Sequence, residues 1–421
     1  MAGVTFVSFV TGDVLYLTGE AHNLVGPAAR RLMPRINAST TIHVTGYIFV
    51  EDALPVRQKP GTQVQRSPYS PPVRHLAEEI TSTYFVDNVQ EIPKVILTRI
   101  EMLSRDIATF TFESSTHVDI VPGQAAILDF KSVVGTLPYQ HMANDNPTSI
   151  NDDRIRTWTV SGSNRWAGSS ARNADTAADP LSLALTMRHN PRGGVTSALF
   201  TIAHKLGKLR PELLEDARPL EFSVPLVGVA GEFTLPACAD ACSPGRGVGS
   251  PMRSSTRAGA RKWLWVAGGI GVTRFLAMLA GMKEEKSHGR SGGEEVDDII
   301  LLLSTREPDV LLPLVIRALE CTDGLPSDDG HRSRLSIHVF SRSPSSPPSS
   351  VPTVRGTALA IEVRQHEGRL NMERLRALNI VDVQERQIYV CGPEEFEQTA
   401  LAALKDIGVD SRNVKREAFG Y

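Results

Sequence analysis

The sequence predicts an antiparallel β-barrel followed by a doubly wound parallel β-sheet, on two observations. From Lys94 to about Pro236, short runs of β-branched residues in near-alternation are separated by turn signals, the spacing of a small antiparallel barrel or sandwich. Beyond residue 261, buried apolar strands alternate with helical stretches, and strands joined by helical crossovers form a parallel sheet with helices on its faces.

The elements follow in order. Residues 1–56 alternate as strands in FVSFV, DVLYLTG and TIHVTGYIFV around one helical stretch, GPAARRLMPRI. Residues 57–93 begin with RQKPGTQVQRSPYSPPVR, whose Pro, Ser and basic residues mark a linker. Residues 94–236 carry the barrel strands KVILTRIEML, IATFTFES, QAAILDF, RTWTVSG, LSLALTMRH and LEFSVPL, with one helix, GGVTSALFTIAHKLG. Residues 237–261, including CSPGRGVGSPMRSSTRAGAR, form a second linker or insertion. Residues 262–421 hold the strands KWLWVAG, DIILLLS, LSIHVF and QIYVCG with the helices RFLAMLAGM, VLLPLVIRALE and EEFEQTALAALKDIG between and after them. SRSPSSPPSSVP reads as a surface insertion, and the chain has no internal repeat.

Composition narrows the function classes. The 421 residues are 41% hydrophobic and carry a net charge of −2, enough for two or three cores and without the basic stripe that nucleic-acid binding requires. The N-terminus lacks the basic region of a secretory signal, and no apolar run reaches bilayer length. Four cysteines, Cys238, Cys242, Cys321 and Cys391, are too scattered for a disulfide scaffold, which favours a reducing, cytoplasmic setting. Cys238 and Cys242 are neighbours in CADAC, but no second ligand pair or histidine cluster completes a metal site, so no metal is expected.

Two helix starts are built for anions. In Trp263–Thr273, WLWVAGGIGVT, an apolar strand breaks at Gly268, Gly269 and Gly271 and closes on Thr273. Glycines at such a turn bring backbone N–H groups and the positive end of a helix dipole close to a phosphate. A tight turn with no ligand is the plainer alternative, and the spacing departs from G-x-G-x-x-G. The second start is Arg192-Gly193-Gly194-Val195-Thr196-Ser197, again glycines opening a helix. Between them in kind stands Arg156-Thr157-Trp158-Thr159, where strand alternation puts Arg156 and Trp158 on one face and Thr157 and Thr159 on the other. A guanidinium grips phosphate, an aromatic plane packs on a flat ring, and a hydroxyl bonds a ring nitrogen; an exposed barrel strand with an incidental Trp is the plainer reading.

RTWTVS, then PRGGVTSALF, WVAGGIGVT, YVCGPEEF and a terminal KREAFGY resemble, in this order, the motifs of the ferredoxin–NADP reductase (FR-type) family of FAD-binding oxidoreductases. The resemblance covers residues 94–421. It implies a flavin-binding barrel joined to a nicotinamide-nucleotide-binding α/β domain, with hydride passing from NADPH or NADH to FAD and electrons leaving to an acceptor. By the same resemblance Arg156 is the flavin-phosphate arginine, Trp158 replaces the usual tyrosine, and Thr159 stands beside flavin N5. Thr157 belongs to the same strand, and Gly193, Gly194, Val195 and Thr196 are the second flavin-phosphate element. Gly269, Gly271 and Thr273 match the nicotinamide-nucleotide pyrophosphate turn, where Arg274 replaces the usual proline and either clashes with the phosphate site or supplements it. Cys391, Gly392 and Pro393 match the motif near the nicotinamide ring; Glu417 and Phe419 match the C-terminal acid and aromatic, with Tyr421 competing for the role of ring cover. Ser304 and Arg306, at the end of the second α/β strand, suit a 2′-phosphate and so favour NADPH, a surface pair of Arg306 with Glu307 or Asp309 being the alternative.

The first 56 residues resemble the closing strands and helix of a pyridoxamine-phosphate-oxidase-like split barrel. This implies either a truncated chain or a remnant packed on the reductase, and FMN binding by this segment is not expected. With no globin ahead of the barrel and no cysteine cluster for an iron–sulfur centre, the acceptor is expected to be a separate small molecule or protein. The rival expectation is a non-catalytic remnant that binds nucleotide and serves as an interaction module.

Overall fold

The computed structural model describes residues 2–8, 12–26, 28–29, 38–51, 53, 93–114, 116, 118–135, 154–166, 180–231, 233–235, 261–287, 297–319, 333–342, 359–380 and 382–419. Outside the described residues lie most of the predicted helix GPAARRLMPRI, nearly all of the first linker, the 237–260 loop with Cys238 and Cys242, Cys321, most of the Ser/Pro insertion and Tyr421.

The chain forms two units. The first contains one antiparallel sheet of β1 (Ala2–Val7), β2 (Val14–Val25) and β3 (Ala38–Val50) in sequence order. Its strands alternate only weakly between buried and exposed, and Phe6, Tyr16, Tyr47, Ile48 and Phe49 remain exposed.

The second unit holds the barrel and the parallel sheet. Its first strands are β4 (Lys94–Met102), β5 (Ile107–Ser114), β6 (Ala125–Asp129), β7 (Ile155–Thr159), β8 (Gly162–Ser163), β9 (Leu181–Arg188) and β10 (Ser223–Ala230), ordered β7-β6-β10-β4-β5-β9-β8. All of these pairings are antiparallel. The first and last strands of that order are consecutive in the chain, and the Ser161 N–H between them donates to the Ala184 carbonyl of β9 at 2.8 Å, so the sheet closes on itself. Closure leaves no open edge there. The predicted alternation is realised on β5, where Ala108, Phe110 and Phe112 are fully buried. These side chains meet Leu97, Leu128 and Phe130 in the barrel core. Helix α1 (Gly194–Leu209) packs Val195, Leu199, Phe200 and Ala203 on that core, the i, i+4, i+5 stripe of an amphipathic helix.

The parallel sheet contains β11 (Arg261–Gly268), β12 (Asp297–Ser304), β13 (Ser333–Ser341), β14 (Leu359–Glu367), β15 (Gln387–Pro393) and β16 (Val414–Phe419), ordered β14-β13-β12-β11-β15-β16. Helices α2 (Val272–Ser287), α3 (Pro308–Leu319), α4 (Met372–Ala377) and α5 (Glu394–Asp406) accompany it. Buried clusters lie on both faces of the sheet, one with Trp265, Leu301 and Tyr389 and the other with Val266, Leu302 and Val390. Burial on both faces is why these strands read as continuous apolar runs. Strands β14 and β16 were not among the predicted elements: LAIEVRQHE and VKREAF lie at the sheet edges, where polar residues weaken the apolar signal.

Barrel and sheet share packing. Ile107, Phe233 and Leu235 of the barrel side join the cluster around Trp265 and Phe275. A Cβ on Gly281 of α2 would lie 2.2 Å from Pro122, so glycine there permits the close approach. The Tyr389 hydroxyl donates to the Thr234 carbonyl at 3.0 Å.

Candidate active site

Strand order reverses between β11 and β15, which hydrogen-bond to each other while their next partners run in opposite directions. In an open parallel sheet the crevice outside the carboxyl ends at such a reversal is the ligand position. The glycine turn ends β11 and the Cys391-Gly392-Pro393 motif ends β15, so both motifs stand at this one point.

The turn is a short 3₁₀ segment, Gly269–Gly271, leading into α2. Gly269 has φ +53° and an added Cβ would meet nothing within 4 Å, so this glycine satisfies a left-handed backbone and faces open space. Gly271 differs: its Cβ would lie 2.4 Å from the Cys391 carbonyl oxygen. Gly268 and Gly392 make a similar close approach, with Phe396 packed against both. Thr273 is buried in the first turn of α2.

Cys391 is fully buried and pairs with Ala267 on one side and Glu417 on the other. Burial pushes its thiol up to about 12, with the Arg274 charge pulling it partly back. At neutral pH it is a small neutral side chain and not a thiolate nucleophile. Glu417 accepts from Arg274 Nη2 at 2.5 Å. The backbone of Phe419 continues β16 opposite Pro393. Arg274 Nη1 donates to the Gly123 carbonyl of the barrel at 2.7 Å.

On the barrel side, Trp158 and Arg156 pair with Ala126 and Leu128, while Thr157 and Thr159 pair with Ile127 and Ala125, the parity expected from alternation. Trp158 packs edge-on against Phe130, with centroids 5.4 Å apart and planes at 85°. Arg156 is half-buried and its Nη1 reaches the Ile155 carbonyl at 3.0 Å. Thr157 is exposed, whereas Thr159 is buried and its hydroxyl has no hydrogen-bond partner among the described residues. An orphaned buried hydroxyl costs stability and invites a ligand. Thr159 faces Ala125, two residues from the Gly123 carbonyl that Arg274 holds.

Helix α1 begins at Gly194 with Gly193 as its cap. Thr196 Oγ1 bonds back to the Asn190 carbonyl at 3.2 Å, and Val195 is core. The guanidinium against this helix start is that of Arg154, a buried residue at φ 57°. A Cβ on Gly194 would lie 2.0 Å from its Nη1. Sequence reasoning missed Arg154, which stands two residues before the RTWT motif; its left-handed backbone and its contact 40 residues away leave no local signal.

Ser304 pairs with Gly268, and its Oγ accepts from the Leu370 N–H at 3.3 Å. Arg306 is exposed beyond it. Its neighbour Glu307 instead pairs with Arg188 of the barrel, which also holds Asp106 at 2.6 Å.

No family model matches the sequence, and no curated protein does. Solved structures with a similar chain course include the flavohem-like FAD/NAD-binding domain of nitric oxide dioxygenase from Vibrio cholerae O1 biovar El Tor. It is 14% identical, covers 79% of this chain and 100% of that one, and has a TM-score of 0.42. Flavohemoglobin from Malassezia yamatoensis, determined with bound FAD and heme, is 14% identical over 78% of this chain and 61% of that one, with a TM-score of 0.43. Ferredoxin-NADP+ reductase from Plasmodium falciparum is 12% identical, covering 80% of this chain and 100% of that one, with a TM-score of 0.40.

Proposed function

We propose that the chain is a flavoprotein oxidoreductase that takes hydride from NADPH onto FAD and delivers the electrons to a separate acceptor. The observation that carries this reading is the link Arg274 makes between barrel and sheet. Its guanidinium bonds the Gly123 carbonyl, two residues from the Ala125 that pairs with Thr159, and it bonds Glu417, which pairs with Cys391.

The residues fit the two cofactors. Gly269 faces open space at the start of α2, where a pyrophosphate meets backbone N–H groups. At α1 a buried guanidinium and a helix N-terminus lie together, and each is a group that favours a phosphate beside it. Arg154 joins Arg156, Gly193, Gly194 and Thr196 as the flavin-phosphate set. Trp158 borders the ring, Thr157 flanks it, and Thr159 offers its hydroxyl to a ring nitrogen. Gly271, Thr273, Gly392 and Pro393 shape the nicotinamide side, while Ser304 and Arg306 take the 2′-phosphate end. The backbone of Phe419 pairs with Pro393, and the role of terminal ring is assigned to this residue. FAD, when bound, supplies the hydride-accepting ring; the protein holds the two rings together and keeps water out. Cys391, neutral and small, permits close approach of the nicotinamide.

The packing of Trp158 on Phe130, and Arg154 filling the space beside Gly194, favour a second reading, in which the site is vestigial and the chain a nucleotide-binding interaction module. One experiment separates the two. Purified chain, as isolated or reconstituted with FAD, is expected to show a flavin spectrum that bleaches anaerobically on addition of NADPH. A colourless chain that takes up no FAD overturns the enzyme reading.

A further inference from the structure

Arg274 is nearly fully buried in the first turn of α2. This is a costly place for a cation, since burial strips its hydration and the helix N-terminus repels positive charge. Its Nε, moreover, is buried with no hydrogen-bond partner among the described residues. Two contacts offset the cost: Nη1 donates to the Gly123 carbonyl at 2.7 Å, and Nη2 donates to Glu417 Oε1 at 2.5 Å. The guanidinium also lies 5.4 Å from the centre of the Phe233 ring, a cation–π distance.

Both anchors belong to ordered elements. Gly123 has φ +100°, and its Cβ would lie 2.1 Å from the Phe233 carbonyl oxygen, so glycine permits the close approach at this turn of the barrel. Glu417 is fixed in register opposite Cys391. One side chain thus connects the barrel wall, two residues from the partner of Thr159, to the sheet wall that carries Cys391.

We propose that Arg274 is a positioning residue for hydride transfer, holding Glu417 and the Thr159-bearing wall at a set spacing about Cys391. This role rests on the flavoenzyme reading above. A buried cation that braces both walls acts on ring spacing, to which transfer rate is steep, more than on nucleotide affinity.

The test uses the full chain loaded with FAD. In Arg274→Met, flavin is expected to be retained as in the parent, NADPH-driven flavin reduction at saturation to slow about 10- to 100-fold, and KM to move less than about threefold. Glu417→Gln is expected to slow the same step. The double variant should be no slower than the slower single, because the pair acts as a unit. Arg274→Lys, which keeps the charge and one donor, is expected to recover part of the rate. A second readout needs no flavin: amide hydrogen exchange in Arg274→Met is expected to quicken together in segments 120–126 and 414–419. Parental rates in Arg274→Met, multiplicative effects in the double variant, loss of FAD from Arg274→Met, or unchanged exchange in both segments would each overturn the proposal. A parent chain that takes up no FAD overturns the flavoenzyme reading and the positioning role together, whereas a parent reduced by NADPH alongside an unaffected Arg274→Met overturns the positioning role alone.

Discussion

The two helix starts of the second unit look alike in sequence and differ in space. At α1, the room beside Gly194 is filled by the Arg154 guanidinium, a side chain of the same chain. At α2, Gly269 has open space before it and Gly271 is pressed on the Cys391 carbonyl. Glycines that open a helix therefore answer three separate needs here: room for a buried cation, a left-handed backbone, and contact between neighbouring strand ends. Only the second is a property of the local chain.

The comparison can be broken most forcefully at Gly271. Gly271→Ala sets a methyl group against backbone that cannot yield and is expected to cost about 1–3 kcal/mol or more, read as a lower denaturant midpoint with NADPH-dependent reduction lost. Gly194→Ala meets only the flexible end of Arg154 and is expected to leave the midpoint within about 1 kcal/mol while weakening FAD retention. Equal destabilisation by the two would remove the distinction.

Next in size is the loss of the cation itself. Arg154→Met is expected to raise the FAD dissociation constant about 10- to 100-fold, the worth of a charge-assisted phosphate contact. Arg156→Ala is expected to raise it less, since part of its guanidinium already serves the Ile155 carbonyl. Equilibrium dialysis of the two variants ranks them, and the reverse order would return the phosphate to Arg156. At the sheet, Arg306→Ala is expected to raise KM for NADPH about tenfold, or about 1.4 kcal/mol, with KM for NADH nearly unmoved. Equal changes for both nucleotides would remove Arg306 from 2′-phosphate recognition.

The last effect concerns the far side of the sheet, where His338 Nδ1 and His366 Nε2 are 2.9 Å apart. Burial, reinforced by the neighbouring His366 and Arg364 charges, lowers His338 to about 4, against about 6.5 in the unfolded chain. Between these values the unfolded chain binds the proton that the folded chain refuses. Stability from this group is thus present above pH 6.5 and lost as pH falls toward 4, by at most about 1.4 kcal/mol per pH unit. Thermal midpoints from pH 7 to 4.5 are expected to fall less steeply in His338→Gln than in the parent.

The barrel strands and the first sheet strands were legible because burial imposes a period on them: two for β5, and an unbroken apolar run for β11 and β12. The edge strands β14 and β16 were not, because one side of each faces no strand and polar residues are tolerated there. The relation of Thr157 to Thr159 followed from alternation, but which of them is buried did not, since Thr159 is covered by contacts beyond its own strand. Arg274 was legible only as a departure at the turn, open between clash and supplement, and its bonds to Gly123 and Glu417 left no trace in the local sequence.

By itself the sequence determined what depends on near neighbours: strand and helix periods, the glycine turns at the starts of α1 and α2, and the placing of Cys391 at a strand end. Tertiary structure alone decided what depends on groups far apart in the chain. It set Arg154 on Gly194, Arg188 on Glu307, and Arg274 between Gly123 and Glu417. Backbone preference acts over a few residues and leaves a pattern that can be read. A buried charge finds its partner through space, and the residues between the two record nothing of the meeting.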